Sequence, residues 1–257
     1  MQKFDPSAVI PLSSVAQTED EFDLRPKEEC GVFGIFAPGE DVARITFFGL
    51  FALQHRGQES AGMAVSTGSL LKIHKRVGLV TQVFDQDRIE HLDGISAIGH
   101  TRYSTTGGNL ECNAQPIHVH TKDGTPIAVA HNGNLVNTSQ LRLELELDGY
   151  EFETTNDTEV IAHLIDSLYQ GDLCQAVQVA TTRLHGAYAI AVLHQDLPHR
   201  VVGARAGSPL IVGVGQGQRY LASDAMALAG VTDQIIYLEE GDVVDLTPDT
   251  HAVFDRN

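Results

Sequence analysis

Cationic residues, cysteines and long apolar runs are all scarce in this sequence. Lysine and arginine number 17 against 34 aspartates and glutamates, a formal net charge of −17 over 257 residues. Such a surface repels nucleic-acid phosphates and anionic lipid, so neither is an expected partner. It still accommodates small anionic or zwitterionic substrates, which a few local groups can hold. Only three cysteines occur, Cys30, Cys112 and Cys174, and no two form a C-x-x-C pair. Zinc and iron–sulfur spacings are therefore missing, and no metal site is expected. The odd, sparse cysteine count fits a reducing cytosol, hence a cytoplasmic location. No apolar run approaches the ~20 residues of a membrane helix. The N-terminus lacks the apolar core of a signal peptide. Internal repeats and low-complexity linkers are absent too.

What is present is a globular composition, 42% hydrophobic, in a chain long enough for one large domain or two small ones. Residues 1–29 stand apart. They carry Pro6, Pro11 and Pro26, a Ser13-Ser14 pair and the acidic cluster Glu19-Asp20-Glu21, with no sustained period. Little regular structure is expected there. Residues 30–37 then read as a buried strand stopped by Pro38-Gly39. Residues 42–55 form a helix that is apolar nearly all round, so burial on most sides is expected. A hairpin around Gly68, a helix over 80–92 and short strands over 95–100 and 127–130 come next. Helices are predicted over 141–147, 157–169 and 173–184. Asn156 and Glu159 have capping-box spacing at the start of the second. Six short strands complete the chain. Gly213-Val214-Gly215-Gln216-Gly217 suggests a dinucleotide fingerprint, but Gln218 stands where the last glycine is required, so a turn between strands is the better reading. Strands with helices in groups, without strict alternation, favour an α+β fold of stacked, mostly antiparallel sheets covered by helices.

Polar groups are stranded at several strand ends. Taken singly, each has an ordinary explanation. Cys30 fits a small buried residue at the start of a core strand. Arg102 fits a surface ion-pair partner. Asn132-Gly133 is the strongest short hairpin signal there is. Asp157 fits a helix-dipole partner, and His118-Val119-His120 fits the exposed face of a strand. Together they describe an amide-hydrolysing site. A thiol nucleophile needs a base. If Cys30 is N-terminal, its own α-amino group serves, with an ordinary pKa of about 7.7–8.0 beside about 8.5 for the thiol. A tetrahedral intermediate needs donors, and an asparagine amide with a glycine N–H supplies them. A free amino acid needs a cation for its carboxylate, which Arg102 can provide as a bidentate fork. It also needs an anion for its ammonium, which Asp157 can provide.

Four motifs occur in order: Cys30-Gly31-Val32-Phe33-Gly34-Ile35 after an acidic leader, Gln54-His55-Arg56-Gly57-Gln58-Glu59-Ser60-Ala61-Gly62, His100-Thr101-Arg102-Tyr103-Ser104-Thr105, and His131-Asn132-Gly133-Asn134. Over about residues 28–250 the chain closely resembles the glutaminase domains of class II glutamine amidotransferases. The Gln-His-Arg-Gly-Gln form is most similar to the amidophosphoribosyltransferase family of purine synthesis. Sugar-amidating synthases usually show Tyr-Arg-Gly-Tyr there, and they stand as the alternative, beside a non-catalytic unprocessed module.

The resemblance implies an N-terminal-nucleophile hydrolase fold of four layers, αββα. It implies that residues 1–29 are a propeptide removed by self-catalysed cleavage at Glu29-Cys30, leaving the amidotransferase domain over 30–257. Cys30 would form a glutamyl thioester and release ammonia. Asn132 and Gly133 match the oxyanion hole, and Arg102 and Asp157 the glutamine-binding pair. Thr105 matches the loop that closes over glutamine, and Arg56 supports the nucleophile. The family's phosphoribosyltransferase domain, which uses the ammonia, is not expected within these residues. No acidic pair followed by a phosphate-binding loop occurs. No cofactor is expected in this chain; magnesium and, in some members, an iron–sulfur cluster belong with that other half. Family members are oligomeric, so a full-length homo-oligomer is implied.

Overall fold

The computed structural model describes residues 9–11, 30–102 and 111–256. Its strands and helices run in the order β1 (Val9–Pro11), β2 (Gly31–Phe36), α1 (Val42–Leu53), β3 (Ser60–Ser66), β4 (Leu71–Val77), α2 (Val80–Val83), α3 (Gln86–His91), β5 (Ser96–Arg102), β6 (Ile117–His120) and β7 (Pro126–Leu135). After these come α4 (Thr138–Leu147), α5 (Asp157–Leu168), α6 (Leu173–Thr181), β8 (Gly186–His194), β9 (Val201–Ala206), β10 (Ile211–Val214), β11 (Arg219–Ala222), β12 (Gln234–Tyr237), β13 (Val243–Leu246) and β14 (His251–Phe254).

The strands form two antiparallel sheets. One has the order β1-β12-β10-β11-β2-β5-β3-β4, the other β14-β13-β9-β8-β7-β6. Alternation along each strand sends side chains to opposite faces, and both faces of both sheets are covered. On β2, Val32 and Phe36 meet the second sheet, while Phe33 and Ile35 pack beneath α1. On β7, Ala128 and Ala130 face the first sheet, and Ile127 and Val129 face α5. Three cores result: helices on the first sheet, sheet on sheet, and α4, α5 and α6 on the second. This is the four-layer αββα arrangement. None of the helices among the described residues is long and apolar enough to cross a membrane.

Several expectations are corrected. The helix over 42–55 ends at Leu53 and continues as a short 3-10 turn, Gln54–Arg56. It packs by one face only, leaving Phe48 59% and Phe51 51% exposed. The helix over 80–92 is broken in two, because Asp85 is extended and its carboxylate caps α3 by accepting from Arg88 N at 2.9 Å. Asn156 caps α5 through Thr158 N, but Glu159 does not return to it in a capping box. Its carboxylate instead accepts from Glu153 N, Thr154 N and Thr154 Oγ1 at 2.7–2.8 Å, gripping the loop before the helix. Within the leader, where little regular structure is expected, Val9–Pro11 forms an edge strand paired with β12. Gly213 to Gly217 does form a turn between strands, β10 and β11.

The junction of β2 with α1 and β5 is tight. A Cβ on Gly31 would lie 2.6 Å from Thr101 Oγ1 and 2.7 Å from Leu53 Cβ. Gly31→Ala is therefore expected to destabilise the fold by about 1–3 kcal/mol through overpacking. At roughly 2–4 °C per kcal/mol for a chain of this size, a thermal melt should show a fall of several degrees.

Candidate active site

Strand alternation directs Cys30, Arg102 and Asn132 to the face between the sheets. Cys30 precedes β2 and shares the parity of Val32, so it belongs to the inter-sheet face. Arg102 ends β5 with the parity of Ile98, which also faces between the sheets. Gly31 pairs with Thr101, and one further step of that register sets Cys30 beside Arg102. Asn132 continues the inward series Ala128, Ala130 on β7, opposite Ala189 of β8.

The Asn132-Gly133 pair is not a hairpin turn. β7 runs straight through it in unbroken register, with Asn132 opposite Ala189 and Gly133 opposite Tyr188. Gly133 holds φ +138°, which disfavours any side chain, and a Cβ there would lie 2.1 Å from Ala187 O. The local sequence asks for a positive φ, and the strand provides one without reversing. On the edge of β7 away from β8, His131 N donates to Gln115 Oε1 at 2.7 Å and Leu135 N to Asp157 Oδ2 at 3.2 Å. Alternation directs the Gly133 N–H, midway between them, to that same edge. Asn132 is buried, and its Nδ2 has no hydrogen-bond partner among the described residues. A buried amide donor left unpaired costs about 1–3 kcal/mol.

Two histidines tie the site together. His100 Nε2 donates to His131 O at 2.9 Å, across from β5 to β7. The carbonyl partner places the proton of a neutral His100 on Nε2. Burial pushes this imidazole down to about 3, and neighbouring His131 and Arg102 act in the same direction. On the other face of β7, His131 Nδ1 lies 3.4 Å from Asp157 Oδ1 and 3.3 Å from Thr158 Oγ1. Burial pushes the Asp157 carboxyl up. The His131 charge and hydrogen bonds from His131, Leu135 N and Thr158 N outweigh it, and the carboxyl is held below its ordinary value. Asp157 therefore stays anionic at neutral pH.

Arg56, from the 3-10 turn after α1, donates from Nε to Cys30 O at 3.1 Å. Thr105 lies outside the described residues. His118 and His120 occupy the exposed positions of β6, away from this cluster. Among the described residues no group of three His, Cys, Asp or Glu could hold a metal ion. Sequence reasoning assigned nothing to Gln115 or to the two histidines as connectors. The histidines stand inside two quoted motifs, and Gln115 carried no local signal.

The family profile described as a glutamine amidotransferase domain matches residues 100–230. A glutamine–fructose-6-phosphate aminotransferase (isomerizing) of Bordetella pertussis is 50% identical over 218 residues, 84% of this chain and 36% of that protein. An amidophosphoribosyltransferase of Synechococcus elongatus is 44% identical over 233 residues, 87% of this chain and 46% of that protein. Among solved structures, the B. subtilis glutamine phosphoribosylpyrophosphate amidotransferase complexed with ADP and GMP aligns with TM-score 0.79 at 34% identity, covering 89% of this chain and 49% of that one. An allosteric regulatory enzyme of purine biosynthesis aligns with TM-score 0.81 at 35% identity over the same shares. The chain spans less than half the length of these curated relatives.

The low His100 value has a pH consequence. Between about 6.5 and about 3 the unfolded chain binds a proton at His100 that the folded chain does not. Stability contributed by the neutral ring is thus full above the ordinary value and falls as pH drops toward the folded one. Melting temperature should decline from about pH 7 to about pH 4, and less steeply in His100→Gln, whose amide can donate the same bond without titrating.

Proposed function

The chain belongs to the class II glutamine amidotransferases, and on that premise we propose that it hydrolyses the side-chain amide of glutamine at Cys30. Removal of residues 1–29 would free the Cys30 α-amino group to serve as the base. That amine takes the thiol proton, and the sulfur attacks the amide carbon. The carbonyl oxygen becomes an oxyanion received by Asn132 Nδ2 and the Gly133 N–H. The carbon–nitrogen bond then breaks as the ammonium returns its proton to the leaving nitrogen. Ammonia departs and a glutamyl thioester remains on Cys30. Water adds to it with the amine again as base, which releases glutamate and restores the thiol. Arg102 holds the substrate carboxylate through its fork, Asp157 holds the ammonium, and Arg56 steadies the Cys30 carbonyl. The observation that carries this reading is the buried Asn132 amide, left without an acceptor on the strand position that faces the Cys30 side.

The ammonia acceptor is a phosphoribosyltransferase domain in the first reading. Transfer to phosphoribosyl pyrophosphate would make phosphoribosylamine for purine synthesis. The His55-Arg56-Gly57-Gln58 motif and two structural neighbours at 34 and 35% identity support it. A sugar-amidating synthase is the second reading, supported by 50% identity to the Bordetella aminotransferase. Glutamate formation with the companion synthase present separates them. Stimulation by phosphoribosyl pyrophosphate is expected; stimulation by fructose 6-phosphate alone would establish the second.

Intact mass should reveal a species that begins at Cys30, and that species should release ammonia from glutamine. Cys30→Ala should abolish the release; an unaffected rate would remove the nucleophile assignment. Asn132→Ala should lower kcat by roughly 10²–10³-fold. Asp157→Asn should mainly raise KM, and an equal loss in thioester hydrolysis would count against its role.

A further inference from the structure

On the reading that Cys30 is the nucleophile, we propose that Asp224 is a positioning residue for it, acting through Arg56. The geometry is a chain of contacts that ends at the nucleophile's own backbone. Arg56 Nε donates to Cys30 O at 3.1 Å, and Arg56 Nη1 lies 3.5 Å from Asp224 Oδ2. Asp224 is fixed at its other oxygen. Oδ1 accepts from Met226 N at 2.9 Å and caps the short 3-10 turn Ala225–Leu228.

The place of Asp224 comes from strand register. β11 pairs with β2 from Arg219 opposite Phe36 to Ala222 opposite Phe33. Ser223 extends the ladder by one residue: its N donates to Val32 O at 3.0 Å, and its Oγ accepts from Val32 N at 3.1 Å. One more step brings Asp224 beside Gly31, the residue after the nucleophile. The strand that flanks β2 thus delivers a carboxylate to the end where the thiol stands, and the succeeding turn holds it there.

The physical need is orientation. The direction of the Cys30 carbonyl sets ψ of that residue, and ψ sets where its α-amino group lies relative to the rest of the chain. Once a peptide is cut before Cys30, no upstream backbone restrains that rotation. Arginine supplies a rigid fork on a flexible stem that has rotamer freedom to lose. An anion at the far side of the guanidinium holds the fork in the plane that aims Nε at the carbonyl. The pair is only partly exposed, at 17% and 27%, so the attraction is less screened than at an open surface. Asp224 does not touch the reacting atoms. Its effect passes through Arg56, and a small misplacement at the nucleophile is enough to slow the chemistry.

Asp224→Asn tests this, because an asparagine oxygen can still cap Met226 N while the anion is lost. The expected result is an unchanged melting temperature, a kcat for glutamine lower by about tenfold, and KM within about twofold. Alkylation of Cys30 by iodoacetamide, followed by peptide mass, should slow in parallel. Asp224→Glu, which keeps the charge, should recover part of the rate. Turnover and alkylation of the Asp224→Asn variant equal to wild type would overturn the proposal, as would a loss confined to KM. The underlying reading fails separately: if Cys30→Ala still hydrolyses glutamine, the nucleophile is elsewhere, whatever the Asp224 variants do.

Discussion

One buried hydrogen bond joins the two sheets where the chemistry would occur. His100 on β5 donates to the carbonyl of His131 on β7 at 2.9 Å. In net terms such a bond contributes about 1 kcal/mol, but losing it would strand a buried donor or acceptor at a cost of about 1–3 kcal/mol. Its larger consequence is geometric. Arg102 lies two residues along from His100, and Asn132 lies one residue along from His131. Clamping the two strands at this point fixes the strand ends that carry both residues. Near the clamp the facing layer includes the small side chains Ala64, Ala128, Ala130, Ala189 and Ala191 beside Ile98 and Val32. Larger residues there would hold the sheets too far apart for a side chain of one to reach the backbone of the other.

The electrostatics of the site arise from the same burial. His100 is kept neutral by its surroundings, and Asp157 is kept ionised by partners that outweigh desolvation. Two titratable groups in one cluster are thus pushed in ways that leave one uncharged and the other anionic at neutral pH. In a protein with a net charge of −17, long-range attraction of an anionic group is unfavourable, so a substrate carboxylate depends on a local cation. Arg102, at the end of β5, is a cation on the inter-sheet face.

The relatives' names differ in the acceptor. One is named for transfer to fructose 6-phosphate and another for transfer to a phosphoribosyl group, and this chain covers less than half of each. Apart from the edge strand β1, the strands and helices of the αββα layers lie within residues 30–256. Fold and function need not vary together.

Much of the arrangement was legible in the residues. The four ordered motifs name Cys30, Arg56, Arg102, Asn132 and Gly133, and hydrophobic alternation alone places most strands within a residue or two. Asn132-Gly133 shows the limit. Its dipeptide asks for a turn, and only the partner strand β8, with Gly133 opposite Tyr188, decides that the positive φ is absorbed inside a strand. The apolar helix α1 shows another limit, since periodicity cannot reveal that only one of its faces finds a neighbour. Gln115, Ser223 and Asp224 are invisible in sequence because their roles come from partners 16, 191 and 168 residues away. The sequence by itself determined which chemical groups are available and which faces must be buried, since those depend on side-chain type and local period. Tertiary structure alone decided which groups meet, because that depends on register between strands distant in the chain and on how closely two sheets can pack.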